Sequence, residues 1–190
     1  MPKIVKEDEI FKAVIKVVVK QGYHGATTKE IADAAGVSEM TLFRKYENKA
    51  QLVIQAFTSL QQRIDIQAAA RYSGDVAVDL QRVVDLYLNL ANRHGAFIVI
   101  LFFEFPRHPE LAELIDRPWS MVKAVEALIS RYQAEGVLRS EPPLQAVIDL
   151  IGPVIYGVMI KEAVPSIDLT SLKAASHVDR FLEGHRAPSN

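Results

Sequence analysis

Apolar residues recur at spacings of three and four along nearly the whole chain, as in Ile10, Val14, Val17 and Val18, while strict alternation is almost absent. That period marks amphipathic helices, and glycine and proline fall between long segments, so the pattern predicts an all-α fold. A first helix is expected from about Asp8 to Gln21, ended by Gly22. Two short helices follow. Thr27-Thr28-Lys29-Glu30 has the capping-box spacing, in which Thr27 accepts from a free backbone N–H and Glu30 reaches back. The helix it opens must end before Gly36. Ser38 is the next N-cap, and Asn48 with Gln51 repeats the signature at the head of a longer helix. Further helices are expected at about 48–70, 76–93, 96–104, 108–134, 142–161 and 168–183, divided by Gly74, Gly95, Pro106 with Pro109, Gly136 with Pro142 and Pro143, and Pro165. The prediction is a three-helix head over residues 1–50 and a helical body over 51–190, about nine helices in all.

Composition narrows the classes. With no cysteine among 190 residues, a disulfide scaffold, thiol chemistry and thiolate zinc sites are excluded. The N-terminal stretch lacks the apolar run of a signal peptide, and wholly apolar stretches such as 96–103 fall short of the roughly 20 residues that span a bilayer. A soluble cytoplasmic protein with no membrane partner is therefore expected. The net charge of −1 argues against coating nucleic acid through bulk positive charge. It is unevenly distributed: residues 1–57 carry +2 and the remainder −3.

The informative stretch runs from Thr27 to Leu52. A short helix, a turn holding Gly36 and a second short helix make a helix-turn-helix, whose second helix fits the major groove of B-DNA. Ile31, Ala34 and Val37 face inward, Leu42 and Phe43 lie a turn beyond, and Ala32 and Ala35 let the helices cross closely. Through Thr28, Ile31-Ala32, Ala35-Gly36-Val37-Ser38, Thr41-Leu42-Phe43, Asn48-Lys49 and Leu52, the sequence resembles the TetR family of bacterial transcriptional regulators. It departs from that pattern at Met40, where a small residue or proline is usual, at Phe43 in place of tyrosine, and at Lys45 and Tyr46 in place of an aromatic or histidine and a phenylalanine. The resemblance implies phosphate contacts from Thr28, Lys45 and Lys49, and groove-facing roles for Lys29, Glu39, Met40, Thr41 and Arg44. Phe43 keeps its place on that face but has lost a hydroxyl that reaches phosphate, and Lys45 supplies a charge in its stead. The chemistry agrees: Lys29 or Arg44 suits guanine O6 and N7, Glu39 suits cytosine N4, and Met40 or the Thr41 methyl suits thymine. Lys3, Lys6, Lys12, Lys16 and Lys20 read as a solvated face, with Lys3 and Lys6 also placed for an arm along the DNA backbone.

In the body, bulky apolar residues are dense, and core filling is the expected role of most of them, with a cavity wall the alternative for the rest. Phe102-Phe103-Glu104-Phe105-Pro106 sets three aromatics around one carboxylate beside a helix breaker. The resemblance implies an effector pocket for a small, mostly apolar molecule, with Phe57, Leu60, Ile64, Leu86, Leu90, Phe102, Glu104, Phe105, Trp119, Tyr132 and Tyr156 as candidates. It also implies a homodimer on a double-stranded, pseudo-palindromic operator. The apolar stripes Val147, Ile148, Ile151, Ile155, Val158 and then Leu172, Val178, Leu182 are the candidate interface, although packing within one chain produces such stripes too. No Ser/His/Asp arrangement, Gly-rich phosphate loop or metal-ligand helix pair occurs, so no enzyme, cofactor or metal is expected. The reading is of a regulator, a repressor by resemblance; the alternative is a helical ligand-binding or interaction protein that keeps the head fold without reading DNA.

Overall fold

The computed structural model describes residues 6–164, 166 and 173–187. Among the described residues it contains nine α-helices, one 3-10 helix and one isolated β-bridge, between Leu138 and Arg186. Contacts divide the chain into two compact units, one formed by residues up to Arg63 with Ala96–Asp116, the other by Ile64–Gly95 with residues from Arg117 onward.

The first unit opens with α1 (Glu7–Gly25), whose buried stripe Ile10, Phe11, Val14, Val17 and Val18 is the one the spacing predicts. Gly22 breaks its regularity at φ 74°, and the chain makes one further turn before Ala26. Helix α2 (Thr28–Ala35) begins with the expected reciprocal box: the Glu30 amide donates to Thr27 Oγ1 and the Thr27 amide donates to Glu30 Oε2, both at 3.2 Å. Such a cap contributes about 1 kcal/mol to a helix too short to persist alone. Helix α3 (Glu39–Tyr46) is capped by Ser38 and α4 (Lys49–Gln62) by Asn48, whose Oδ1 accepts from the Gln51 amide at 2.9 Å. Ile31, Ala32, Leu42, Leu52, Val53 and Phe57 close one core with Phe97, Leu101, Leu111 and Leu114.

The second unit packs Leu80, Val83 and Val84 against Val125, Leu128, Ile129 and Tyr132, then against Val147, Leu150, Ile151, Val154, Val178, Phe181 and Leu182. Its helices are α5 (Ile66–Ala69), the part of α6 (Val76–Glu104) through Gly95, α7 (Asp116–Ala134) from Arg117, α8 (Pro143–Ala163) and α9 (Ala174–His185).

Several boundaries differ from expectation. The helix foreseen at 48–70 is two, because the chain leaves helical geometry after Arg63 and Asp65 recaps it by accepting from the Ala68 amide at 2.9 Å. The segments foreseen at 76–93 and 96–104 are the single 29-residue α6. Gly95 does not interrupt it, since a mid-helix glycine costs only about 1 kcal/mol and here gives room for Val158. Residues 109–115, foreseen as the start of a long helix, form the 3-10 helix Pro109–Ile115 instead. Helix α6 and helix α8 have the length and apolarity of membrane-crossing segments, with mean hydropathies of 1.3 and 1.6, although polar residues interrupt both. Lys3 of the suggested arm and Leu172 of the C-terminal stripe lie outside the described residues.

Candidate nucleic-acid interface

The turn between α2 and α3 is built by Gly36 at φ 69°, ψ 32°, a left-handed conformation that a side chain would strain. Its amide and that of Val37 bond back to α2 carbonyls, Gly36 to Asp33 at 3.2 Å and Val37 to Ala32 at 3.0 Å. These bonds satisfy the carbonyls left open at the helix end and set the direction of α3.

Helix α3 buries Leu42 and Tyr46 and leaves its other face in solvent. Met40 is 80% exposed and Phe43 47%, and Lys29, Arg44 and Lys45 are exposed as well. Thr41 is half-buried, and its hydroxyl lies 2.8 Å from that of Ser38. A two-turn helix that shows solvent a methionine, a phenylalanine and an arginine has the dimensions and chemistry to enter a groove.

Three groups expected at phosphate have partners inside the head. The Thr28 hydroxyl donates to Glu39 Oε1. Lys45 Nζ pairs with Glu7 Oε1 at 2.7 Å, which holds the Glu7 carboxyl below its usual value and raises the Lys45 ammonium above its own. Lys49 Nζ donates to the carbonyl oxygens of Tyr23 and Ala26 and lies 4.4 Å from the Tyr23 ring centre. Burial draws that ammonium below the ordinary lysine value. Glu7 had no local signal in the sequence, since it lies far upstream of Lys45; the departures at Lys45 and Tyr46 were the visible half of the cluster.

The effector candidates divide between the units. In the first, Phe57 is buried with its ring centre 6.3 Å from that of Phe97, and Leu60 packs on the same core. Phe102 is exposed beside Phe105, while Glu104 lies 3.5 Å from the His108 ring, whose other nitrogen meets Glu110 at 2.9 Å. In the second, Ile64, Leu86 and Leu90 are half-buried, and Trp119 is exposed with Lys123 Nζ 5.2 Å from its ring centre. Tyr132 is fully buried and its hydroxyl donates to Asp79, whereas Tyr156 is 63% exposed.

The interface candidates also divide. Val147, Ile151, Val178 and Leu182 are buried in their own chain's core, and Val158 abuts Gly95. Ile148 and Ile155, at 53% and 50% exposure, remain on the open face of α8. The core takes Ala146, Val147, Leu150, Ile151 and Val154 of α8, and at 100° per residue positions 148 and 155 fall on the side of the helix away from that stripe. Among the described residues no group of three or more His, Asp or Glu side chains is placed to hold a metal.

Residues 10–56 match the model of the bacterial regulatory proteins, tetR family. An uncharacterized HTH-type transcriptional regulator of Mycobacterium bovis, Mb1581, is 25% identical over 155 residues, covering 82% of this chain and 74% of its own. YvkB of Bacillus subtilis, described likewise, is 28% identical over 152 residues, covering 80% and 79%. The fold superposes with a TM-score of 0.73 on AibR, solved with isovaleryl coenzyme A and operator DNA, at 17% identity and over 97% of this chain and all of that one. The capped α2, the left-handed turn at Gly36 and the exposed face of α3 all lie within residues 10–56, so this head is the part of the chain that matches the tetR-family model, and the chain as a whole is similar to helix-turn-helix transcriptional regulators of that family.

Proposed function

We propose that the protein is a cytoplasmic repressor that binds a pseudo-palindromic operator as a homodimer and is released by a small, mostly apolar effector. Residues 1–50 would be the DNA-reading part, and 51–190 the effector-binding and dimerising part. The observation that carries the reading is the face of α3: an 80% exposed Met40 beside Phe43 and Arg44 is unfavourable in water and well suited to thymine methyls and base edges. Lys29, Glu39 and Thr41 complete the groove-facing set, and Thr28, Lys45 and Lys49 are the phosphate set.

Homodimerisation is supported by the open face of α8, where Ile148, Ile155 and Tyr156 lie uncovered in the single chain. Two-fold operators need two heads, because one small head makes too few contacts for tight specific binding. The effector would act through its differential affinity for the DNA-fitting and non-fitting states. That AibR was solved with both an acyl coenzyme A and operator DNA supports a place for both in this fold.

The test is operator binding by Glu39→Gln and Arg44→Ala against single-mismatch sites. Each substitution should relax preference at one base position, by about 1–3 kcal/mol of discrimination. Unchanged base preference in both would remove α3 from sequence reading.

A further inference from the structure

The head holds a polar groove of about 370 Å³ lined by Glu7, Lys45, Tyr46, Glu47, Gln51 and Gln55. Its one cation, Lys45, is bound to Glu7 Oε1 at 2.7 Å, and the same carboxylate oxygen accepts from the Tyr46 hydroxyl at 3.3 Å. Tyr46 is buried and ring-packed on Phe11 at 6.0 Å, so its hydroxyl is a fixed donor at the first turn of α1. Two donors from the end of α3 therefore converge on one carboxylate that belongs to α1. Both partners are about half exposed, so a phosphate oxygen can reach the same ammonium from solvent.

We propose that Glu7 is an affinity-setting residue: an internal carboxylate that competes with a DNA phosphate for the Lys45 ammonium, with Tyr46 positioning it. This rests on the DNA-binding reading above. A phosphate that takes Lys45 must displace Glu7 and leave an unpaired carboxylate beside the backbone of the duplex. The pair thus subtracts one cation from the contact made with DNA, weakening sequence-independent binding without touching a base.

The measurement is the salt dependence of binding to a random-sequence duplex for the full-length protein, E7Q, K45Q and the double variant. Each phosphate neutralised by the protein contributes about 0.9 to the slope of log K against log salt. E7Q should bind more tightly at low salt, with a slope steeper by about 0.9, so that its advantage shrinks about three- to four-fold between 50 and 200 mM salt. In the K45Q background, the Glu7 substitution should change neither slope nor affinity. Equal slopes for the parent and E7Q would overturn the proposal, as would an E7Q effect that survives in K45Q, which would assign it to general charge. If the parent shows no salt-dependent binding to any duplex, the DNA-binding reading itself falls and this inference with it.

Discussion

Lys49 Nζ, at the first turn of α4, donates to the Tyr23 carbonyl oxygen at 2.9 Å and so closes the C-terminal end of α1. A second bond, to Ala26 at 3.2 Å, serves the same end, and the ammonium also lies over the Tyr23 ring. A cation there meets carbonyls that the helix leaves open and complements its dipole. Lys49→Met, which keeps the stem, should therefore destabilise the protein by about 1 kcal/mol, allowing for partial solvent screening. Urea unfolding would read this. If the midpoint stays put while duplex binding falls, Lys49 acts at phosphate and the carbonyl bonds carry little.

Gly95 meets Val158 side-on: a Cβ at position 95 would sit 2.5 Å from Val158 Cγ1. Valine's branched side chain has little freedom to yield. Alanine at this position gains about 1 kcal/mol of helix propensity and loses about 1–3 to overpacking. Gly95→Ala should thus lower stability by about 1 kcal/mol, and Gly95→Ala with Val158→Ala should recover much of it. A stabilised single variant would show that α6 and α8 do not approach this closely.

Asp79 is fully buried and accepts from the Ser73 amide at 2.7 Å, from the Ser73 and Tyr132 hydroxyls, and from Arg82 Nη2 at 2.7 Å. Burial alone would push its carboxyl up; these donors more than offset that and leave it below 3.8, the unperturbed value. A carboxyl depressed by folding stabilises fully above the unfolded-state value, and its contribution is lost as pH falls through the folded-state value. Stability should decline below about pH 4 with a part that disappears in Asp79→Asn. That variant should cost about 3 kcal/mol at neutral pH, because Arg82 is left without its buried partner. Tyr132→Phe, removing one donor, should cost about 1 kcal/mol. An Asp79→Asn protein as stable as the parent at pH 7 would contradict this.

Glu47 joins α3 to α4 at φ 61°, ψ −51°, with the Asn48 amide bonded to the Tyr46 carbonyl at 2.6 Å. This is a tight γ-turn, strained for any residue with a side chain. Glu47→Gly should stabilise by about 1 kcal/mol after the added freedom of the unfolded chain is counted. Glu47→Ala, which keeps the strain, should not. Thermal unfolding of the two variants separates them.

What was legible in the sequence is the part held by local chemistry. Thr27, Ser38 and Asn48 announce their helices through side chains that bond three residues on, and Gly36 announces its turn through backbone freedom. Relationships across long separations carry no such mark. Nothing near Asp79 points to Tyr132, nothing near Glu7 points to Lys45, and Gly95 looks like a helix end until Val158 is placed beside it. The stripe of α8 was legible as apolar, but its division between Ile151 in the core and Ile155 in solvent depends on which neighbours are present.

The central claim is that α3 reads DNA as half of a symmetric pair. Selection from a pool of random duplexes tests it most directly. The account predicts enrichment of a two-fold symmetric sequence with half-site centres about 10 bp apart. The selected duplex should bind at least about a thousand-fold more tightly than the starting pool, and Arg44→Ala should lose most of that preference. A pool that stays random through successive rounds, with the folded protein bound to it no more tightly than at the start, would contradict the claim.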